Sequence, residues 1–240
     1  MTEKKKGRLF GVGVGPGDPE LLALKAVRAI ERADVVAFPG KSKEESTAYA
    51  IPVAAIPGYT EKSALPIDLP MTTDQARLKA IHEEAAEILE EHLLKGENIA
   101  FLTLGDPSFY STYAYIDEKI RADGFETEII PGVPSFSAIA ARLKMPITLG
   151  SESVKILTGL GDDFEAEAEN LIILKAGRNA GQIRDRLKAA GYKAVMVCNA
   201  GMQDEKVYAA IDDIPETERY FSLILAKRER ACPARELSSR

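Results

Sequence analysis

GVGVGPGDPELL, residues 11–22, decides how this chain is read. Four glycines and two prolines follow the apolar residues of LFGVGV (9–14) and lead into a pattern of helical spacing through Leu21, Leu22, Leu24, Val27 and Ile30. A short β-rich run, a glycine turn and a helix in that order form half of a parallel βαβ unit. Asp18 and Pro19 occupy the places of an N-cap and a first helical residue.

The same rhythm continues outward. DVVAFP (34–39) is a second predicted strand, followed by the polar stretch KSKEES and a passage rich in Pro and Gly that runs through Pro70. Residues 74–95 form a long amphipathic helix rich in Ala, Glu and Leu, which Gly96 stops. NIAFLTLG (98–105) is almost wholly apolar, as expected of a strand covered on both faces. A helix over about 109–122 and the strand ETEIIPG complete a first α/β domain, residues 1–131. Beyond Pro131-Gly132 the pattern changes. A short helix over 134–143 precedes strands VKILTG, LIILKAG, AVMVCNAG and YFSLILAK, with a helix at about 179–190 and a further strand candidate in KVYAAI. Three of these strands lie so close in sequence that antiparallel hairpins are expected in a second, mixed sheet, residues 132–240. The expected fold class is α/β: two α/β domains with a cleft between them, the first sheet mainly parallel and the second mixed.

Composition excludes several functions. A net charge of −6 argues against nonspecific nucleic-acid binding, which depends on neutralising phosphates, and Lys4-Lys5-Lys6 is too short a basic tail to change that. No apolar run reaches the ~20 residues of a membrane span, and MTEKKKGR carries no secretory apolar region, so a cytoplasmic location is expected. Cys198 and Cys232 fit neither a disulfide framework nor metal-ligand spacing and are read as reduced thiols. His82 opens HEEAA without the second histidine of a zincin helix, and His92 lies about 80° around the helix from it, so no protein-bound metal is expected.

The opening turn is not a dinucleotide fingerprint. Counted from Gly11 the sixth residue is Pro16, counted from Gly13 it is Asp18, and the second strand ends in Pro39-Gly40-Lys41 rather than an acid. It is not a P-loop either, for no Gly-Lys-Ser/Thr follows. Two prolines stiffen it, which suits the wall of a pocket as well as a tight connection. LTLGDPSFYSTY (102–113) repeats Gly-Asp-Pro, again after a strand and before a helix. In a parallel sheet both turns fall at the carboxyl ends of strands, where open α/β folds bind ligands. The bland alternative makes Asp106 a helix cap and Phe109 and Tyr110 core residues.

Taken in order, GVGVGPGDPELLALKAVRAI, LTLGDPSFYST, EIIPGVPSFSAIAA, CNAG and YFSLILAK resemble the tetrapyrrole (class III) methyltransferases of the cobalamin and sirohaem pathways. Tyr110-Ser111-Thr112 resembles the branch that methylates the C20 meso carbon of precorrin-2 or cobalt-factor II. The resemblance implies S-adenosylmethionine as donor, S-adenosylhomocysteine as product, a tetrapyrrole acceptor and a homodimer. Carried over position by position, it implies donor contacts at Pro16, Leu104, Gly105, Asp106, Phe109, Tyr110, Ser111, Thr112, Pro134, Ser135, Ala176 and Ala200. Two positions depart from the pattern: many relatives have Met in place of Ala176, and Thr-Ala in place of Pro134-Ser135. Asp106 is the motif carboxylate placed to take part in catalysis, with holding the donor or capping a helix as its competing roles. Lys41, Lys43, Arg142, Lys144 and Arg178 lie in or beside predicted loops as candidate partners for the acceptor's carboxylates. Two rivals remain: the same fold acting on another tetrapyrrole position or on a protein, as diphthine synthase does, and a noncatalytic carrier of a tetrapyrrole or nucleotide.

Overall fold

The structure is a computed structural model and describes residues 5–70, 72, 74–159, 161, 168–202 and 204–228. Cys232 lies outside them. The chain divides into two compact units, Met1–Ala138 and Ile139–Arg240, a few residues beyond the expected boundary at 131/132.

In the first unit, β1 (Arg8–Gly13), β2 (Val35–Pro39), β3 (Ser63–Ile67), β4 (Ile99–Thr103) and β5 (Glu126–Ile130) form one sheet of order β3-β2-β4-β1-β5. Every pairing in it is parallel. The helices are α1 (Leu24–Arg32), α2 (Thr47–Val53), α3 (Gln75–Leu94) and α4 (Tyr113–Ala122), and α5 (Ser135–Arg142), after β5, contains the boundary between the units. Strand alternation sorts the core into two layers. Val12, Val36, Phe38, Ala100 and Leu102 pack with Ala26, Ala29 and Ile30 of α1 and Ala48, Tyr49 and Ile51 of α2. Leu9, Val35, Ala37, Ile99 and Phe101 pack with Ala85, Ala86, Leu89 and Leu93 of α3 and Tyr113, Ile116 and Ile120 of α4. All of β4 is buried, as its unbroken apolar run requires.

Several elements differ from the sequence expectation. Asp18 does accept from the Glu20 amide, but the helix it caps is a three-residue 3-10 turn, Pro19–Leu21. Leu22 and Ala23 then extend, α1 begins at Leu24, and Leu24 is 73% exposed rather than buried. The Pro- and Gly-rich passage between β2 and Pro70, to which the sequence assigns no element, carries α2 and the edge strand β3, which pairs along all of β2. The expected helix at 109 begins at Tyr113, because Tyr110 takes a left-handed backbone with φ 45°. The long helix is as expected: Asp74 caps it through the Ala76 and Arg77 amides, and Gly96 ends it with φ 88°.

Gly11 shows how closely helix and sheet meet. A Cβ there would lie 2.2 Å from Cε1 and Cζ of the buried Tyr113 ring. Gly11→Ala is expected to destabilise the unit by about 1–3 kcal/mol, the usual range for overpacking. Combined with Tyr113→Leu the loss should be smaller than the sum of the two single changes, as denaturant titration would show.

In the second unit β6 (Val154–Thr158), β7 (Asn170–Leu174), β8 (Tyr192–Cys198), β9 (Lys206–Tyr208) and β10 (Ser222–Arg228) form a sheet of order β6-β7-β10-β8-β9. β6 and β7 are parallel and the other pairings antiparallel; of the hairpins expected among the last three strands only β8–β9 forms, because β10 inserts between β7 and β8. α6 (Ala180–Ala189) packs Ala180, Ile183 and Leu187 against Leu171, Ile173, Ala194, Met196 and Ile224. Burial pushes the Cys198 thiol, inside that layer, up to about 11. No helix among the described residues is long and apolar enough to cross a membrane.

Candidate functional site

β1 and β4 are neighbours, yet α1 and α4 leave them toward opposite faces of the sheet. That is a topological switch point, and the two turns expected to make a site sit on its carboxyl rim. They are joined there. The Gly15 amide donates to the Gly105 carbonyl at 3.2 Å, the Gly105 amide to the Gly15 carbonyl at 2.7 Å, and the Val14 amide to the Thr103 carbonyl at 3.0 Å. Pro16 is therefore one residue from a bridge to Gly105.

A third turn, after β5, closes over β1. A Cβ on Gly13 would lie 2.5 Å from the Gly132 amide nitrogen and 2.7 Å from the Gly105 carbonyl oxygen, and one on Gly132 would lie 2.2 Å from that same oxygen. Asp106 fastens the arrangement. Its Oδ1 accepts from the Ser108 amide (2.7 Å) and hydroxyl (2.5 Å), and its Oδ2 accepts from the Gly132 amide (3.0 Å). Asp106 is buried, and what it caps is a turn, not α4; Ser111 Oγ serves the Tyr113 amide instead.

The reading of Phe109 and Tyr110 as core residues is overturned: they are 37% and 53% exposed. Tyr110 also holds a left-handed backbone, disfavoured for a non-glycine residue by roughly 1–2 kcal/mol. Such strain collects where a ligand-binding surface dictates the geometry. On the same rim, Gly105 has φ 74° and open space where a side chain would stand. Pro134 and Ser135 complete the group in the first unit, Pro134 accepting from the Ser137 and Ala138 amides at the start of α5.

In the second unit the ends of β7 and β8 and the start of β10 share one edge. The Ala176 amide donates to the Ser222 carbonyl at 3.1 Å and the Asn199 amide to the Phe221 carbonyl at 2.7 Å. The residues before Ala176 and Ala200, namely Lys175 (φ 55°) and Asn199 (φ 51°), are both left-handed. Ala176 is fully buried with its methyl in the apolar layer, so what it offers at this edge is main chain. Asn199 tolerates its conformation intrinsically, whereas nothing in the sequence around Lys175 announces one.

Each basic candidate has its own surroundings. Lys41 follows β2 and stands 3.9 Å from Asp68, and the Lys43 ammonium lies 5.5 Å from the centre of the Tyr49 ring. Arg142 is already engaged, its guanidinium forked onto Glu205, which also accepts from the Gly201 amide at 2.8 Å. Lys144 is exposed just past α5 with φ 52°, and Arg178 is exposed in the 3-10 turn Gly177–Asn179. His82 stacks on Tyr115 with centroids 4.9 Å apart, and desolvation lowers its pKa. His92 Nδ1 lies 2.6 Å from Glu97 Oε2. Among the described residues no group of three or more His, Cys, Asp and Glu is arranged to hold a metal.

Sequence reasoning passed over Gly13 and Gly132 as site residues, though both lie inside the motifs it used. Only the packing of three loops reveals that neither can carry a side chain.

The chain belongs to the family of Tetrapyrrole (Corrin/Porphyrin) Methylases, which it matches over residues 8–215. Within that family it is 33% identical over 235 residues to a precorrin-2 C(20)-methyltransferase of Sinorhizobium sp, covering 91% of this chain and 94% of the relative. It is 34% identical over 228 residues to a probable cobalt-precorrin-2 C(20)-methyltransferase of Methanocaldococcus jannaschii, covering 92% and 96%. The crystal structure of uroporphyrin-III C-methyl transferase from Thermus thermophilus complexed with S-adenyl homocysteine shares the fold, with a TM-score of 0.67, 22% identity and coverage of 92% and 97%.

Proposed function

We propose that this protein transfers a methyl group from S-adenosylmethionine to C20 of precorrin-2 or its cobalt form in cobalamin biosynthesis. The acceptor half of this reading is supported by relatives named for C20 methylation that match nearly end to end. The donor half is supported by one observation above others: the turns after β1 and β4 are zipped at Gly15 and Gly105 beside an open glycine face. A related fold bears the donor's demethylated product.

The fit of the rim to such a donor is chemical as well as spatial. Gly105 leaves room for close approach, Pro16 and Pro134 stiffen the walls, and Phe109 and Tyr110 offer apolar surface beside them. With Leu104, Ser111, Thr112, Ser135, Ala176 and Ala200, these residues are the proposed donor contacts. A bound sulfonium supplies a methyl group already activated for transfer. The meso carbon of a reduced tetrapyrrole is electron-rich, so the protein need provide no nucleophile; C20 takes the methyl and loses its proton, and S-adenosylhomocysteine leaves. Its work is to align the reacting atoms and exclude water, and orientation can supply roughly 7–11 kcal/mol. Asp106 acts here as the clip that sets the loops, because both its oxygens are occupied by bonds of the rim. Of the basic residues, Lys41, Lys43, Lys144 and Arg178 remain proposed partners for acceptor carboxylates, while Arg142 is held by Glu205. The family resemblance also supports a cytoplasmic homodimer, which light scattering on the purified protein would test.

The decisive assay incubates the protein with isotopically labelled donor and, separately, precorrin-2 and cobalt-precorrin-2, then locates the new methyl by NMR. Label at C20 is expected. Label at another carbon, on a protein acceptor alone, or nowhere would replace this reading by one of its rivals.

A further inference from the structure

Three aromatic rings run in contact along the rim of the first unit. Tyr110 meets Phe109 with centroids 6.1 Å apart and planes at 69°, and Phe109 meets Phe136 at 5.3 Å and 62°. None of the three belongs to a hydrophobic cluster of the described residues. α5 buries Ile139 and Ala140 instead, and Phe136 is only half-buried. Phe109 and Tyr110 come from the loop after β4 and Phe136 from the first turn of α5, just past the loop after β5, and the Asp106 to Gly132 bond ties those two loops together over β1. A strained Tyr110 backbone holds one end of the chain.

We propose that Phe136 is a specificity-determining residue for the acceptor, packing with Phe109 against one face of the tetrapyrrole. The inference rests on the reading of the protein as a C20 methyltransferase. Apolar rings held half-open on a ligand rim, outside the core, have surface to offer a partner that is itself broad, flat and apolar. A macrocycle presents such a face and keeps its carboxylates at the periphery. Three linked rings offer more surface than one purine can cover. The donor side of the rim is formed chiefly by main chain at Gly15, Pro16 and Gly105, and Phe109, in the same loop as Gly105, touches Phe136.

The test compares wild type, Phe136→Ala and Phe136→Tyr. Calorimetry with S-adenosylhomocysteine reads the donor site. Absorbance titration and steady-state KM with cobalt-precorrin-2 read the acceptor site. Phe136→Ala is expected to weaken acceptor binding and raise its KM by roughly three- to tenfold, the scale of one aromatic contact. Donor affinity should stay within about twofold, and Phe136→Tyr should restore the acceptor values. Equal loss of donor affinity would move Phe136 to the donor site, a shift in oligomeric state on gel filtration would move it to a subunit interface, and unchanged acceptor binding would remove it from both. Each of these overturns the inference while C20 transfer by the wild type stands. A wild type that neither binds nor methylates the acceptor overturns the functional reading, and the inference with it.

Discussion

Gly132→Ala is expected to reduce turnover by about a hundredfold and to weaken donor binding while the protein remains folded. The backbone of Gly132 does not need glycine, since it lies outside the left-handed residues. The constraint is contact alone. An added methyl would meet the Gly105 carbonyl oxygen at 2.2 Å and the backbone of Gly13 at 2.8 Å, neither of which can swing aside as a side chain would. The three loops must part by the better part of an ångström, and misplacement on that scale costs about 10²-fold in a site that works by positioning. Overpacking should also lower stability by about 1–3 kcal/mol, leaving a folded protein to assay. A turnover assay and calorimetry with S-adenosylhomocysteine, alongside circular dichroism, measure these quantities. Near-normal affinity in a folded variant would show that the meeting of these loops is not what shapes the donor site. Gly105→Ala makes the useful contrast: there the methyl meets open space, and only the backbone conformation at φ 74° resists it.

Asp106→Asn should weaken donor binding by tenfold or more and destabilise the first unit by about 1–3 kcal/mol. The carboxylate accepts on both oxygens, from Ser108 on one side and Gly132 on the other. An amide can accept on only one. Its NH₂ group must then face either the Gly132 amide or the Ser108 donors, leaving a donor against a donor in a buried place. Urea titration and calorimetry would detect the two losses together. Were Asp106 a general base, the signature would differ: donor affinity and stability would hold while turnover fell. Retention of all three would mean that the clip is dispensable.

Much of this molecule can be read along the chain. The all-apolar run of β4 announces a strand covered on both faces, and the spacing of the last three strands announces antiparallel pairing, though only β8 and β9 form a hairpin. The repeated Gly-Asp-Pro places two turns on one edge once the strands are taken as parallel. Other features escape such reading. α2 contains a proline, and β3 alternates only weakly at the sheet's edge, so neither carries a strong period. The cap at Asp18 is real, but a 3-10 turn and two extended residues intervene before α1, a choice made by packing rather than propensity.

The amino-acid sequence by itself determined the class of fold, the order of its motifs and the two turns that would form the rim, because periodicity and turn chemistry are local. Which glycines tolerate no side chain, which carboxylate is consumed as a clip, and which aromatics are left outside the core were decided only by tertiary structure. Those properties depend on atoms from loops far apart in sequence, such as Asp106 and Gly132, and a contact of that kind leaves no period in either segment.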